Sequence, residues 1–257
     1  MQIPSLRVDG KVAFVTGAGT GLGQASAVAL ATAGADIALT ELPGKEPLAE
    51  ETARLVKTIG RRALPLLLDV TKLPMISAAV DQTLKQFGRI DILVNNAGIN
   101  IPRLALEVSE EDWDRVLDVN LKGVFFVAQA VAQRALVPQG GGKIINIASQ
   151  NGIIGYFYRA AYCSSKAGVV NLTRVLALEW AKYHINVNAI GPTFLETPLT
   201  KPMFENPEFK ADVLSRIPLG RIGKPEDVVG AVVYLASPAA DLVTGHTLLV
   251  DGGWTAV

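Results

Sequence analysis

Tyr162 and Lys166 stand four residues apart at the head of a long apolar run, Y-C-S-S-K-A-G-V-V-N-L-T-R-V-L-A-L-E-W. Residues at i and i+4 of a helix share one face, which brings the phenol and the ammonium within reach of each other. A phenol with a pKa of about 10 is a poor base at neutral pH, and a nearby cation is what makes its phenolate accessible. The chemistry on offer is proton transfer to or from an oxygen. The tetrad alone also describes the polar stripe of an ordinary amphipathic helix.

A second constellation lies near the amino terminus, T-G-A-G-T-G-L-G from Thr16 to Gly23. A glycine-rich turn between a strand and a helix lets the backbone of Gly17, Thr20, Gly21, Leu22 and Gly23 approach a pyrophosphate. Unpaired N–H groups and the helix dipole favour an anion there. The spacing departs from G-x-G-x-x-G, so its place after the first strand of a βαβ unit carries the argument. Glu41 ends the second strand about 20 residues on, where an acid accepts hydrogen bonds from the adenosine ribose. Neither the turn nor Leu42 offers a cation for a 2′-phosphate, which favours NAD over NADP, although Lys45 is close in sequence.

The elements that must position these groups are legible as alternation. Apolar, β-branched runs begin at Lys11, Asp36, Ala63, Asp91, Lys143, Ile185 and His246. Helical patterns cover Leu22–Ala33, Pro47–Ile59, Met75–Phe87, Ser109–Leu136, Tyr162–Tyr183 and Pro225–Ala236. Continuous apolar strands separated by crossovers predict an α/β fold of Rossmann type. It is a doubly wound, seven-stranded parallel sheet with helices on both faces, forming one domain over residues 1–257. Ser109–Leu136 and Tyr162–Tyr183 are apolar on more than one side, with Phe126 and Val170 candidates for an outward face that meets another subunit. Residues 191–224 form a Pro-rich substrate loop with one short helix around Pro207–Arg216.

Composition excludes several classes. Lys plus Arg and Asp plus Glu each total 24, and no basic stripe marks a nucleic-acid partner. A single cysteine, Cys163, forms no internal disulfide and reads as packing. His184 and His246 are not patterned as metal ligands, so no metal is expected. The first residues lack the build of a signal peptide, and no apolar run approaches the ~20 residues of a membrane span. A cytoplasmic protein without membrane contact is expected.

With T-G-x-x-x-G-x-G ahead and Y-x-x-x-K behind, the chain resembles the short-chain dehydrogenase/reductase family. Asp69-Val70 after the third strand, N-N-A-G at Asn95–Gly98, Asn120 in V-N-L-K-G, Ser149 in I-I-N-I-A-S, I-G-P-T-F-L-E-T and V-D-G-G follow in the family's order. The resemblance spans essentially the whole chain. It implies that Tyr162 exchanges a proton with the substrate oxygen, that Lys166 and the oxidised nicotinamide stabilise its phenolate, and that Ser149 bonds the reacting oxygen. It further implies that Asn120 anchors a water linking Lys166 to solvent. Asp69, Val70, Asn96, Ala97, Gly98, Pro192, Thr193 and Thr197 join the turn, Tyr162 and Lys166 as cofactor contacts. Thr193 departs from the glycine usual after Pro192. Asn95 is expected to brace central strands, and Trp254 to pack.

Several stretches resemble the branch that oxidises sugar acids and polyols, which also implies a homotetramer. Its sugar-acid members often carry paired arginines after N-N-A-G; here I-N-I-P-R leaves only Arg103. The expected activity is interconversion of a secondary alcohol and a ketone on a sugar acid, polyol or hydroxyketone. Gln150, Asn151, Tyr156 and Phe194 are the substrate candidates, with Glu196 beside them. The alternatives are a 3-oxoacyl reductase using NADP and a non-catalytic dinucleotide sensor.

Overall fold

The computed structural model describes residues 3–198 and 200–256, so Met1, Gln2, Val257 and the substrate-loop residue Leu199 lie outside the described residues. The seven strands are β1 (Val12–Val15), β2 (Asp36–Glu41), β3 (Ala63–Leu67), β4 (Ile92–Asn95), β5 (Gly142–Ile147), β6 (Ile185–Pro192) and β7 (Thr247–Val250). All pair in parallel, in the order β3-β2-β1-β4-β5-β6-β7. The chain steps outward from β1 to β3 and then returns to add β4 on the other side of β1. That reversal leaves a crevice at the carboxyl ends of β1 and β4, where open α/β sheets bind ligands.

Among the described residues, eight α-helices connect and cover the strands: α1 (Gly21–Thr32), α2 (Glu46–Thr58), α3 (Leu73–Phe87), α4 (Glu110–Leu117), α5 (Val124–Val131), α6 (Ala160–Trp180), α7 (Pro207–Ser215) and α8 (Pro225–Ala236). Successive strand residues face opposite layers. Ala13, Val15, Ile37, Leu39, Ile92 and Val94 pack with α1, α2 and α8. Phe14, Ala38, Leu93 and Ile144 pack with α3, α5 and α6. Burial on both faces explains why the strands read as unbroken apolar runs.

Two expectations about the long helical segments need correction. Residues 110–136 are helical throughout, but π-helical turns at Asp118–Gly123 and Ala132–Leu136 interrupt the α-helix. Each wide turn shifts the helical period, so an apolar pattern spread around the helix no longer requires two exposed faces. Val170 does not face outward. It is buried with Val124, Ala148, Val169 and Ala189, and Phe126 is half-buried against the core. The outward apolar surface instead comes from Val175 and Leu178, the latter 82% exposed, and from Leu121, Phe125 and Leu172 along a groove between the two helices. No helix among the described residues is long and apolar enough to cross a membrane.

Candidate active site

The glycine-rich turn fits a dinucleotide's phosphates. Gly17 and Gly21 have φ of +61° and +57°, a region that side-chain-bearing residues rarely adopt. A Cβ on Gly23 would collide with the carbonyl oxygen of Gly17, so the first turn of α1 lies directly on the loop before it. Thr20 at the helix start makes no side-chain cap, and no acid stands in the first turn. The positive end of α1 is therefore left for an external anion.

Neighbouring loops hold this turn in place. Asn96 donates its side-chain amide to the carbonyls of Thr16 (3.0 Å) and Gly17 (2.9 Å). The backbone N–H groups of Asn96 and Ala97 donate to Thr16 Oγ1. Thr197 lies over Gly21, where an added Cβ would come 3.4 Å from Thr197 Cβ, so the segment after β6 covers the turn. Glu41 Oε2 accepts from Gly19 N–H at 3.1 Å and Oε1 from Leu42 N–H at 2.9 Å. Each oxygen keeps further lone-pair capacity for a ribose hydroxyl. Asp69 Oδ1 accepts from the backbone and hydroxyl of Thr71, opening the turn before α3, while Val70 packs under Gly123. Pro192 ends β6. Thr193, next in the chain, donates its N–H to Val250, and its buried hydroxyl has no partner among the described residues.

At the carboxyl ends of β4 and β5 the four expected catalytic positions converge. Lys166 is 4% exposed; its Nζ donates to the Ile147 carbonyl at 2.7 Å and lies 5.8 Å from the Tyr162 ring centre. Burial alone pushes its pKa down to about 8. Burial also raises the Tyr162 phenol, and the Ser149 hydroxyl and Arg159 guanidinium oppose that shift. Ser149 Oγ accepts from Asn151 N–H at 3.1 Å, which leaves its own hydrogen free to be donated.

The Asn120 amide makes three of the four hydrogen bonds open to it. It exchanges two 2.8 Å hydrogen bonds with the backbone of Ile99 and donates to Ser165 Oγ, tying the loop after β4 to both long helices. The side chain therefore braces the site from inside a π-turn. Asn95 donates to Asn146 and to the carbonyl of Val124 between the central strands. Gly98 leaves room beside Asn120 Oδ1 and Lys166 Nζ.

The substrate candidates separate into two kinds. Gln150 and Asn151 are buried with amide atoms that have no partner among the described residues. Tyr156 spends its hydroxyl on Asp212 at 2.7 Å, so it offers a ring and not a free phenol. That ring, Phe194 and Trp254 form an aromatic wall with Phe204 and Phe209. Trp254 is buried in that wall, and Glu196 is exposed. Arg103 turns away, 52% exposed and paired with Asp112. Arg159, which the sequence pattern did not single out, lies buried against this wall and Tyr162. Its position three residues before Tyr162 was the available signal, but burial of an arginine is not readable from sequence.

A protein-family model described as enoyl-(acyl carrier protein) reductase matches residues 17–255. The chain is 47% identical, over the full length of both proteins, to the 2-dehydro-3-deoxy-D-gluconate 5-dehydrogenase of Escherichia coli. It belongs to the short-chain dehydrogenase/reductase family. Among further relatives, an NAD-dependent glycerol dehydrogenase of Listeria innocua is 42% identical, with 96% of this chain and 95% of that protein covered. The crystal structure of a gluconate 5-dehydrogenase from Burkholderia cenocepacia, in complex with NADP and tartrate, superposes with a TM-score of 0.94 at 38% identity, covering 99% of each chain. This short-chain dehydrogenase/reductase is thus an NAD(P)-dependent oxidoreductase acting on CH–OH groups.

Proposed function

We propose that the enzyme uses NAD to interconvert a secondary alcohol and a ketone on a small polar substrate from the sugar-acid, polyol or hydroxyketone class. The observation that carries this reading is the placement of Tyr162, Ser149 and Lys166 at the strand ends beside Gln150 and Asn151, whose buried amides lack partners. Tyr162 acts as acid and base toward the substrate oxygen. Ser149 donates to that oxygen and favours its developing charge. Lys166, fixed by Ile147 with its Nζ 5.8 Å from the centre of the Tyr162 ring, supplies a positive field to the phenolate. The glycine-rich turn would hold the pyrophosphate of a bound NAD, whose nicotinamide would supply the hydride chemistry.

Glu41 is the reason for NAD. A carboxylate ~4 Å from a 2′-phosphate repels it by about 4 kcal/mol at an effective dielectric near 20, an upper bound before screening. A third of that figure already favours NAD by about tenfold. Lys45 is exposed and offers a partial offset. The outward apolar surface of Leu121, Phe125, Leu172, Val175 and Leu178 supports a homotetramer.

Coenzyme reduction across sugar acids, polyols and secondary alcohols tests the activity. Tyr162→Phe is expected to lose at least about a hundredfold in rate on the best substrate while NADH affinity is kept. Near-normal turnover in that variant would remove Tyr162 from the proton transfer. The parent should show higher kcat/KM with NAD, and Glu41→Ala with Leu42→Arg should move the preference toward NADP; a parent that prefers NADP contradicts the assignment. Light scattering should give a mass near four times the 27.2 kDa chain, and a monomer would refute the tetramer.

A further inference from the structure

We propose that Arg159 is the anchor for a substrate carboxylate, which makes the substrate a hydroxy acid or keto acid and not a neutral polyol. The proposal rests on the dehydrogenase reading above and narrows its substrate class. Arg159 is 7% exposed, yet its guanidinium makes no hydrogen bond or ion pair among the described residues. Three aromatic rings surround it: their centres lie 5.0 Å (Phe194), 5.6 Å (Tyr156) and 5.8 Å (Tyr162) from its Cζ. Aromatic faces offset part of the cost of burying the cation, but they accept few of its five N–H donors. A guanidinium left with open donors in an apolar wall is complementary to a carboxylate, which takes two of them in parallel.

Backbone geometry explains why this arginine, and not Arg103, serves. The two residues form an isolated parallel bridge, and Arg103 N–H donates to the Tyr158 carbonyl at 3.1 Å. The two segments therefore run side by side. Arg103 points to solvent and is neutralised by Asp112. Tyr158 adopts φ +62°, unusual for a residue with a side chain, and the turn leaves Tyr158 exposed while Arg159 goes inward. The acid at the aromatic wall, Asp212, is already bound to Tyr156 and Arg216. Because one guanidinium faces both the wall and the Tyr162 ring, a carboxylate on Arg159 and a hydroxyl on Tyr162 can belong to one small molecule. The unpartnered amides of Gln150 and Asn151 are available to its remaining hydroxyls.

The test compares a sugar acid, D-gluconate, with the neutral alditol of equal chain length, D-glucitol, in the parent, Arg159→Gln and Arg159→Lys. Arg159→Gln should lower the acid-to-alditol ratio of kcat/KM at least tenfold, mainly through KM for the acid. Arg159→Lys should fall between, since an ammonium keeps the charge but not the bidentate geometry. NADH affinity reports that the variants are folded. An unchanged ratio, whether both rates hold or both collapse together, overturns the proposal in favour of a structural or general catalytic role. If the parent turns over neither compound, the activity reading is left to the wider coenzyme-reduction panel, and calorimetry of D-gluconate binding to the NAD-loaded protein decides the carboxylate site separately. Binding that weakens at least tenfold in Arg159→Gln upholds it; no binding to the parent, or equal binding to both, overturns it.

Discussion

Two cations, Lys166 and Arg159, are buried beside one phenol with no carboxylate to pair either of them among the described residues. Taking an unpaired charge out of water is costly, and the charged form survives only where fixed dipoles or bound groups replace the solvent. The Ile147 carbonyl does this for Lys166, and aromatic rings do it in part for Arg159. The arrangement stores positive potential at the carboxyl ends of β4 and β5. A phenolate, or the substrate carboxylate proposed for Arg159, would be stabilised there for the same electrostatic reason.

That potential is useful only if the helices carrying it are held still. A line of buried amides and hydroxyls does so: Asn95 to Asn146, Asn146 to Thr173 on α6, and Asn120 to Ser165 on the same helix. Each link is a satisfied polar group in a low-dielectric core, where leaving one unmade costs more than making it gains. The strands, the π-turn and α6 are thereby fixed in register. The glycine-rich turn is tied to the same frame through Asn96, which bonds both Thr16 and Gly17. Cofactor cradle and proton-transfer site share one scaffold.

Much of this was legible in the sequence because the signals were local. Unbroken β-branched runs announced a covered parallel sheet, and all seven strands fall where those runs lie. The glycine-rich turn and the Tyr162–Lys166 spacing are short patterns with direct geometric meaning. What escaped depends on non-local packing. The π-turns at Asp118 and Ala132 reset the helical period, so the outward face there cannot be counted from residue spacing, and on α6 the candidate Val170 is buried. The Tyr156 hydroxyl is taken by Asp212, fifty-six residues away in the chain. Arg159 reads as an ordinary surface arginine until the strained turn at Tyr158 sends it inward.

Burial raises the Tyr162 phenol despite Ser149 and Arg159, so availability of its phenolate at working pH depends on Lys166 and on the positive nicotinamide of bound NAD. Near-ultraviolet titration of the protein saturated with NAD, taken as a difference against Tyr162→Phe, isolates the ionisation of this one phenol. The expected midpoint is below the ordinary tyrosine value of about 10 and moves upward when Lys166 is replaced by methionine. A midpoint at or above that value with NAD bound, or one indifferent to Lys166, would contradict that dependence.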